Sequence, residues 1–128
     1  MVTQITKGIK ISVNTTFEGS YYKNLVINYA FSYHITIENQ GNDTVQLMSR
    51  HWDIYDALHP QEMVDGEGVV GQKPILKPGE NHTYSSGCLL CAPYGSMNGY
   101  FTMLNFTSGK TFQVLIPTFN LSAPFALN

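Results

Sequence analysis

The stretch VDGEGVVGQKP, residues 64–74, carries the spacing Gly66-x-Gly68-x-x-Gly71, and two kinds of fold compete for it. In a dinucleotide-binding unit such a glycine turn follows a strand and opens a helix, whose free N–H groups hold a pyrophosphate. In a β-rich chain the same glycines mark a bulge or a close approach of backbones. The residues after Gly71 read QKPILKPGEN. Pro74 and Pro78 each lack an N–H and clash with the preceding turn, so no regular helix is expected there. The acidic residue that would hold a ribose about 20 residues on needs a parallel strand that nothing supplies. The helix-dependent reading fails. A weaker form stays open, in which the backbone makes an anion-binding nest without a helix. Its candidate residues are Gly66, Gly68, Gly71, Lys73 and Arg50, with Lys77 nearby and with Asp65 and Glu67 opposing any anion.

Outward from this loop, period-two alternation dominates. IKISVNTTF puts Ile9, Ile11, Val13, Thr15 and Phe17 on one face. YAFSYHITIEN does the same with Tyr29, Phe31, Tyr33, Ile35 and Ile37, leaving His34, Thr36 and Glu38 opposite. In TVQLMSRHWDIYD the apolar phase moves from odd positions (Val45, Leu47) to even ones (Trp52, Ile54). That change predicts a β-bulge near Ser49–Arg50. HTYSSGCLL, GYFTMLNF and TFQVLIP also read as strands, and NFTSGKTF as a tight hairpin with Gly109 at positive φ. Turn chemistry in NQGND, ALHP, LKPGEN, APYGSM and TSGK separates the segments. The expected fold is an all-β sandwich of immunoglobulin or fibronectin type III kind, with seven to eight strands, spanning residues 1–128 as one domain.

Composition narrows the function. Of the 128 residues 43% are hydrophobic and only 12% charged, about half the usual charged share. A net charge of −2 with a single arginine argues against nucleic-acid binding, which needs a basic patch. No stretch approaches the roughly 20 apolar residues that span a bilayer, so membrane insertion is not expected. The opening MVTQITKGIKISV lacks the charged and apolar regions of a leader, and the expected compartment is the cytoplasm.

Three further groups of residues invite chemistry. His51-x-Asp53 places an imidazole and a carboxylate on one strand face, a weak metal candidate that His59 or His82 would have to complete. A plain His–Asp hydrogen bond on a polar face is the favoured reading. Cys88-x-x-Cys91 sits at a strand end before Pro93 rather than at a helix start, and no second ligand pair accompanies it. Two reduced thiols are expected, with a redox role as the alternative. Arg50 is expected to pair with Glu67, Asp65 or another carboxylate, and an interface anchor is its alternative role. No activated serine and no paired acid and base mark an enzyme, and no cofactor is called for.

Taken together, YAFSYHITIEN, VQLMSRHWDIYDA, VDGEGVVGQKPILKPGE, YSSGCLL, APYGSMNGYFTM and FQVLIPTFNL resemble the ApaG family, also called CorD, over about residues 13–121. SRHW followed by GEGVVG and PGE is the most specific part of the match. Asn28 and Ala92 depart from the family's usual basic residue and threonine. The resemblance implies a fibronectin-type sandwich and a bacterial cytoplasmic protein linked to cobalt tolerance and magnesium efflux, without established enzymatic activity. Related domains in eukaryotic F-box proteins and in a polymerase-delta-interacting protein look like interaction modules. The expected function is therefore a non-catalytic module that influences divalent-cation handling through a protein partner, with a homodimer left open. The alternative is a small-anion binder taking pyrophosphate or a nucleotide at Gly66–Gly71, and a phosphohydrolase is the least supported reading.

Overall fold

The structure, a computed structural model, describes residues 1–127, the last two by backbone alone. Nine strands follow in chain order: β1 (Val2–Thr6), β2 (Ile9–Lys23), β3 (Val26–Asn39), β4 (Val45–Asp56), β5 (His59–Glu67), β6 (Ile75–Leu76), β7 (Asn81–Leu90), β8 (Tyr94–Asn105) and β9 (Thr111–Ser122). A 3-10 turn, Pro124–Leu127, closes the described chain. One antiparallel sheet has the order β1-β2-β3-β7 and the other β5-β4-β8-β9, with the short β6 also on β4. This is the expected fibronectin type III-like sandwich, with one strand more than the upper count. No helix among the described residues is long and apolar enough to cross a membrane.

The alternating segments face each other across the sandwich. Ile9, Ile11 and Val13 of β2 and Phe31, Tyr33, Ile35 and Ile37 of β3 are buried against Leu47, Trp52, Met97, Phe101, Met103, Val114, Ile116 and Phe119. Burial of each large aliphatic or aromatic side chain contributes about 1.5–3 kcal/mol. Trp52 sits at the centre of an aromatic cluster, 5.3 Å from Tyr33 and 5.7 Å from Phe119 between ring centroids. Thr15, expected on the buried face, is exposed. β1 pairs with β2 only as far as Val13, so beyond that point β2 is the edge of its sheet, still paired with β3 and with Phe17 packed against the core.

The phase change in β4 has the predicted cause, one residue earlier than expected. The register with β8 slips between Leu47 and Ser49, leaving Met48 as the extra residue. Leu47 therefore faces inward on an odd number and Trp52 on an even one. The β8–β9 hairpin also forms as read, with Gly109 at φ 70°. APYGSM, expected as a turn, instead lends Tyr94–Met97 to β8, which pairs with both β4 and β9 from its first residue or the next.

Candidate functional site

β4 organises the polar residues, because the bulge at Met48 sets which of them face the core. Arg50 lies two residues before Trp52 and so shares its face. Its Nη1 donates to the carbonyl oxygens of Glu67 (2.9 Å) and Gly68 (2.8 Å). Among the described residues the expected ion pair with a carboxylate does not form. Glu67 pairs instead with Lys73 at 2.5 Å, and Asp65 turns to His51. The Lys73 ammonium holds the Glu67 carboxyl below the usual carboxylate range.

The glycine loop is part of the sheet. Gly66 pairs opposite Arg50 inside β5, and the Gly68 N–H donates to the Met48 carbonyl at 2.9 Å. The Val69 N–H donates to Gln72 O and the Gln72 N–H returns to Val69 O, closing a two-residue turn. Its central residues, Val70 and Gly71, have φ of 48° and 76°, the combination of a type I′ hairpin turn. Chain that would have to become helical turns back here and pairs as β6 with Val45 and Gln46. A Cβ on Gly66 would lie 2.6 Å from Nη2 of Arg50, and one on Gly68 would collide with the Gln72 carbonyl oxygen. Gly71 faces open space. Three N–H groups of the loop are thus donated to carbonyls, and two of its three glycines are needed for close packing.

On the opposite face of β4, His51 lies between two carboxylates. Nδ1 is 2.7 Å from Asp65 Oδ1 and Nε2 is 3.2 Å from Asp53 Oδ1, while the ring stacks on Tyr100 at 4.8 Å. Gln61 also donates to Asp53 Oδ1 at 3.0 Å. The hydrogen bond to Asp65 raises the His51 pKa above 6.5, desolvation opposes it, and Asp53 adds to the rise. With a carboxylate hydrogen-bonded at each ring nitrogen, the imidazole has no free nitrogen to offer a metal. His59 is opposite Asp56 at the far end of β4, and His82 stacks on Tyr84 in the other sheet, so neither joins His51. No three His, Cys, Asp or Glu side chains among the described residues stand where they hold a metal ion.

Cys88 and Cys91 are both half-buried free thiols. Burial, with Asp56 and Glu62 nearby, pushes the Cys88 thiol up to about 11. Such a thiol is a poor nucleophile at neutral pH. Cys91 donates its N–H to Asp56 Oδ2 at 2.7 Å, tying the β7–β8 turn to the end of β4.

One surface escaped the sequence reading. β3 pairs with β7 only from Tyr29 onward, so Ser20–Lys23 and Val26–Asn28 run on as a two-stranded ribbon. Asn24 and Leu25 make its tip with φ of 52° and 65°. Tyr21, Tyr22, Val26 and Ile27 are all exposed, Tyr22 at 75%, and Leu25 stands 98% exposed. Adjacent strand residues point to opposite faces, so exposed apolar side chains stand on both, Tyr22 and Ile27 on one and Tyr21 and Val26 beside Lys23 and Asn28 on the other. The signal lay in YYKNLVIN, residues 21–28, an apolar run around a turn without polar alternation.

Known proteins share this sequence and fold. The ApaG domain family model matches residues 19–105. A Protein ApaG from Anaeromyxobacter dehalogenans (strain 2CP-C) is 42% identical over 128 residues, all of both chains. One from Rhodospirillum centenum (strain ATCC 51521 / SW) is 39% identical over 124 residues, 97% of this chain and 95% of that one. A structural-genomics X-ray structure superposes with a TM-score of 0.86 at 37% identity, covering 91% of this chain and 88% of the other. A crystal structure from Bordetella pertussis, described as ApaA, gives 0.79 at 36% identity over 91% and 94%.

Proposed function

The chain belongs to the ApaG domain family, and from that premise we propose that it works as a non-catalytic interaction module whose β2–β3 ribbon docks into a protein partner. The observation that carries this reading is the exposure of Leu25 at the ribbon tip, between Tyr22 and Val26. Contiguous exposed apolar surface of this kind marks an interaction site on soluble domains. Leu25 also occupies the left-handed region at φ 65°, a conformation that costs a non-glycine residue of order 1 kcal/mol. Glycine would fill that turn without strain, so what leucine adds is its exposed side chain.

The chemistry of the partner follows from the exposed apolar side chains on both faces of the ribbon. A flat surface or an added strand covers one face, whereas an apolar cleft covers both. The partner is therefore a protein with a cleft lined by aliphatic and aromatic side chains. The family's link to cobalt tolerance and magnesium efflux runs through this partner, not through direct coordination. Support comes from His51, whose two ring nitrogens are both engaged by carboxylates.

Leu25→Gly tests the reading without endangering the fold, because it relieves the strained turn. A photo-reactive side chain placed at Tyr22, in native extract, is expected to capture one partner stoichiometrically. Purified, that partner should bind the wild-type chain and lose at least about tenfold in affinity for Leu25→Gly, as removal of a central apolar anchor does. Equal binding of the two chains would refute the ribbon as the docking element.

A further inference from the structure

At the end of the sandwich opposite the ribbon tip, three connections meet: the β1–β2 turn, the β3–β4 loop and the β8–β9 hairpin. They surround a cavity of about 280 Å³. Its apolar floor comes from Ile9, Val45 and Phe112, and its rim carries two lysines, Lys7 from the first turn and Lys110 from the hairpin. The Lys7 ammonium stands 5.8 Å from the centre of the Phe112 ring. Among the described residues neither lysine is ion-paired. The one carboxylate in the lining is Asp43, and both its oxygens are engaged, by Asn105 Nδ2 at 3.0 Å and Thr107 Oγ1 at 3.1 Å. The mouth is thus net positive on a chain whose net charge is −2.

The walls are fixed to one another. Gln40 donates its N–H to Gly8 O at 2.8 Å, and Phe106 donates to Thr44 O at 3.0 Å. Asn39, fully buried, donates to the carbonyls of Asp43 (2.8 Å) and Leu76 (2.9 Å) and accepts from Gly41 N–H (2.9 Å). Each loop is bonded to another before any ligand arrives, so binding has little ordering entropy to overcome. A concave site with an apolar floor and a few convergent polar groups is the usual form of a small-molecule site.

We propose that this cavity binds a small organic anion, with a flat apolar body against Phe112 and a phosphate or carboxylate held by Lys7 and Lys110. The site is separate from both the ribbon and the glycine loop. Neither of those features is needed for it.

The test is a titration of the isotope-labelled full chain with phenyl phosphate, followed by amide chemical shifts, with inorganic phosphate and phenol as the two half-ligands. Saturable shifts are expected at Gly8, Gly41, Ser108, Lys110 and Thr111, with phenyl phosphate binding about tenfold more tightly than either half. Lys7→Gln and Lys110→Gln should each weaken it by about fivefold and make its salt dependence shallower, since each removes one charge contact. Lys77→Gln, outside the cavity, should leave it unchanged. Three results would each overturn the proposal: no saturable shift at these amides up to about 10 mM, a concentration far above a useful affinity; unchanged affinity in the double lysine variant; or shifts confined to Gly66–Gly71.

Discussion

The guanidinium of Arg50 fills the space that a Cβ on Gly66 would need, directly across the β4–β5 pair. This contact gives the first glycine of the motif a structural reason, and the collision with Gln72 gives the second glycine another. The two constraints differ in how easily they relax. Arg50 is a flexible side chain that can withdraw, at the loss of its bonds to Glu67 and Gly68. The Gln72 carbonyl is backbone and cannot.

Alanine at the three glycines should therefore destabilise in the order Gly68, Gly66, Gly71. Gly68→Ala combines φ 60° with a backbone collision and is expected to cost about 2–4 kcal/mol. Gly66→Ala should cost about 1–2 kcal/mol through the lost Arg50 bonds. Gly71→Ala meets nothing and should cost about 1 kcal/mol for its φ alone. Urea denaturation measures all three. In an Arg50→Ala background the Gly66→Ala penalty should shrink, and additive penalties would show that the two residues are not coupled.

Val70 is a β-branched residue at φ 48° in a type I′ turn, beside Gly71. Asparagine followed by glycine is the sequence that turn prefers. Val70→Asn is expected to raise stability by about 0.5–1 kcal/mol, since the Val70 side chain is exposed and little packing is lost. A fall in the melting temperature would mean that Val70 contributes packing that its exposure does not reveal.

What the chain discloses before folding follows burial. Tyr29–Asn39 was legible because β3 lies inside its sheet with one face on the core, so alternation is enforced. β5 was not, because His59–Glu67 is an edge strand whose residues are nearly all solvent-facing, and no apolar period survives there. The His51–Asp53 pair follows from a spacing of two on a strand. Its stronger partner, Asp65, comes from the cross-strand register His51↔Asp65, which is set by the β4–β5 turn. The carbonyls that Arg50 holds are backbone groups of Glu67 and Gly68, and no residue identity encodes them. The ribbon was not legible because its apolar residues serve no core, so no alternation with a buried face marks them.

Cys88 should be chemically quiet in the folded chain. With its thiol pushed up to about 11, almost none is thiolate at neutral pH. Brief iodoacetamide treatment of the native protein at pH 7.5 is expected to leave Cys88 unmodified, while the denatured chain takes a label at both cysteines. Rapid native labelling at Cys88 would reopen a redox role for the pair. Mass spectrometry of the peptides decides it.

His51 links β4 to β5 in a manner that depends on pH. Its folded-state pKa is raised, so the charged ring is favoured by folding. The stability it contributes is complete below the ordinary value of 6.5 and disappears as pH rises through the higher folded value. His51→Gln should therefore destabilise more at pH 6 than at pH 9, a difference read from urea midpoints at the two values. The imidazole resonances of His51 should titrate above 6.5, and Asp65→Asn should bring that midpoint down more than Asp53→Asn does, because the Asp65 hydrogen bond is the largest cause of the shift. An equal destabilisation by His51→Gln at both pH values would show that the ring acts by its stacking on Tyr100 rather than by its charge.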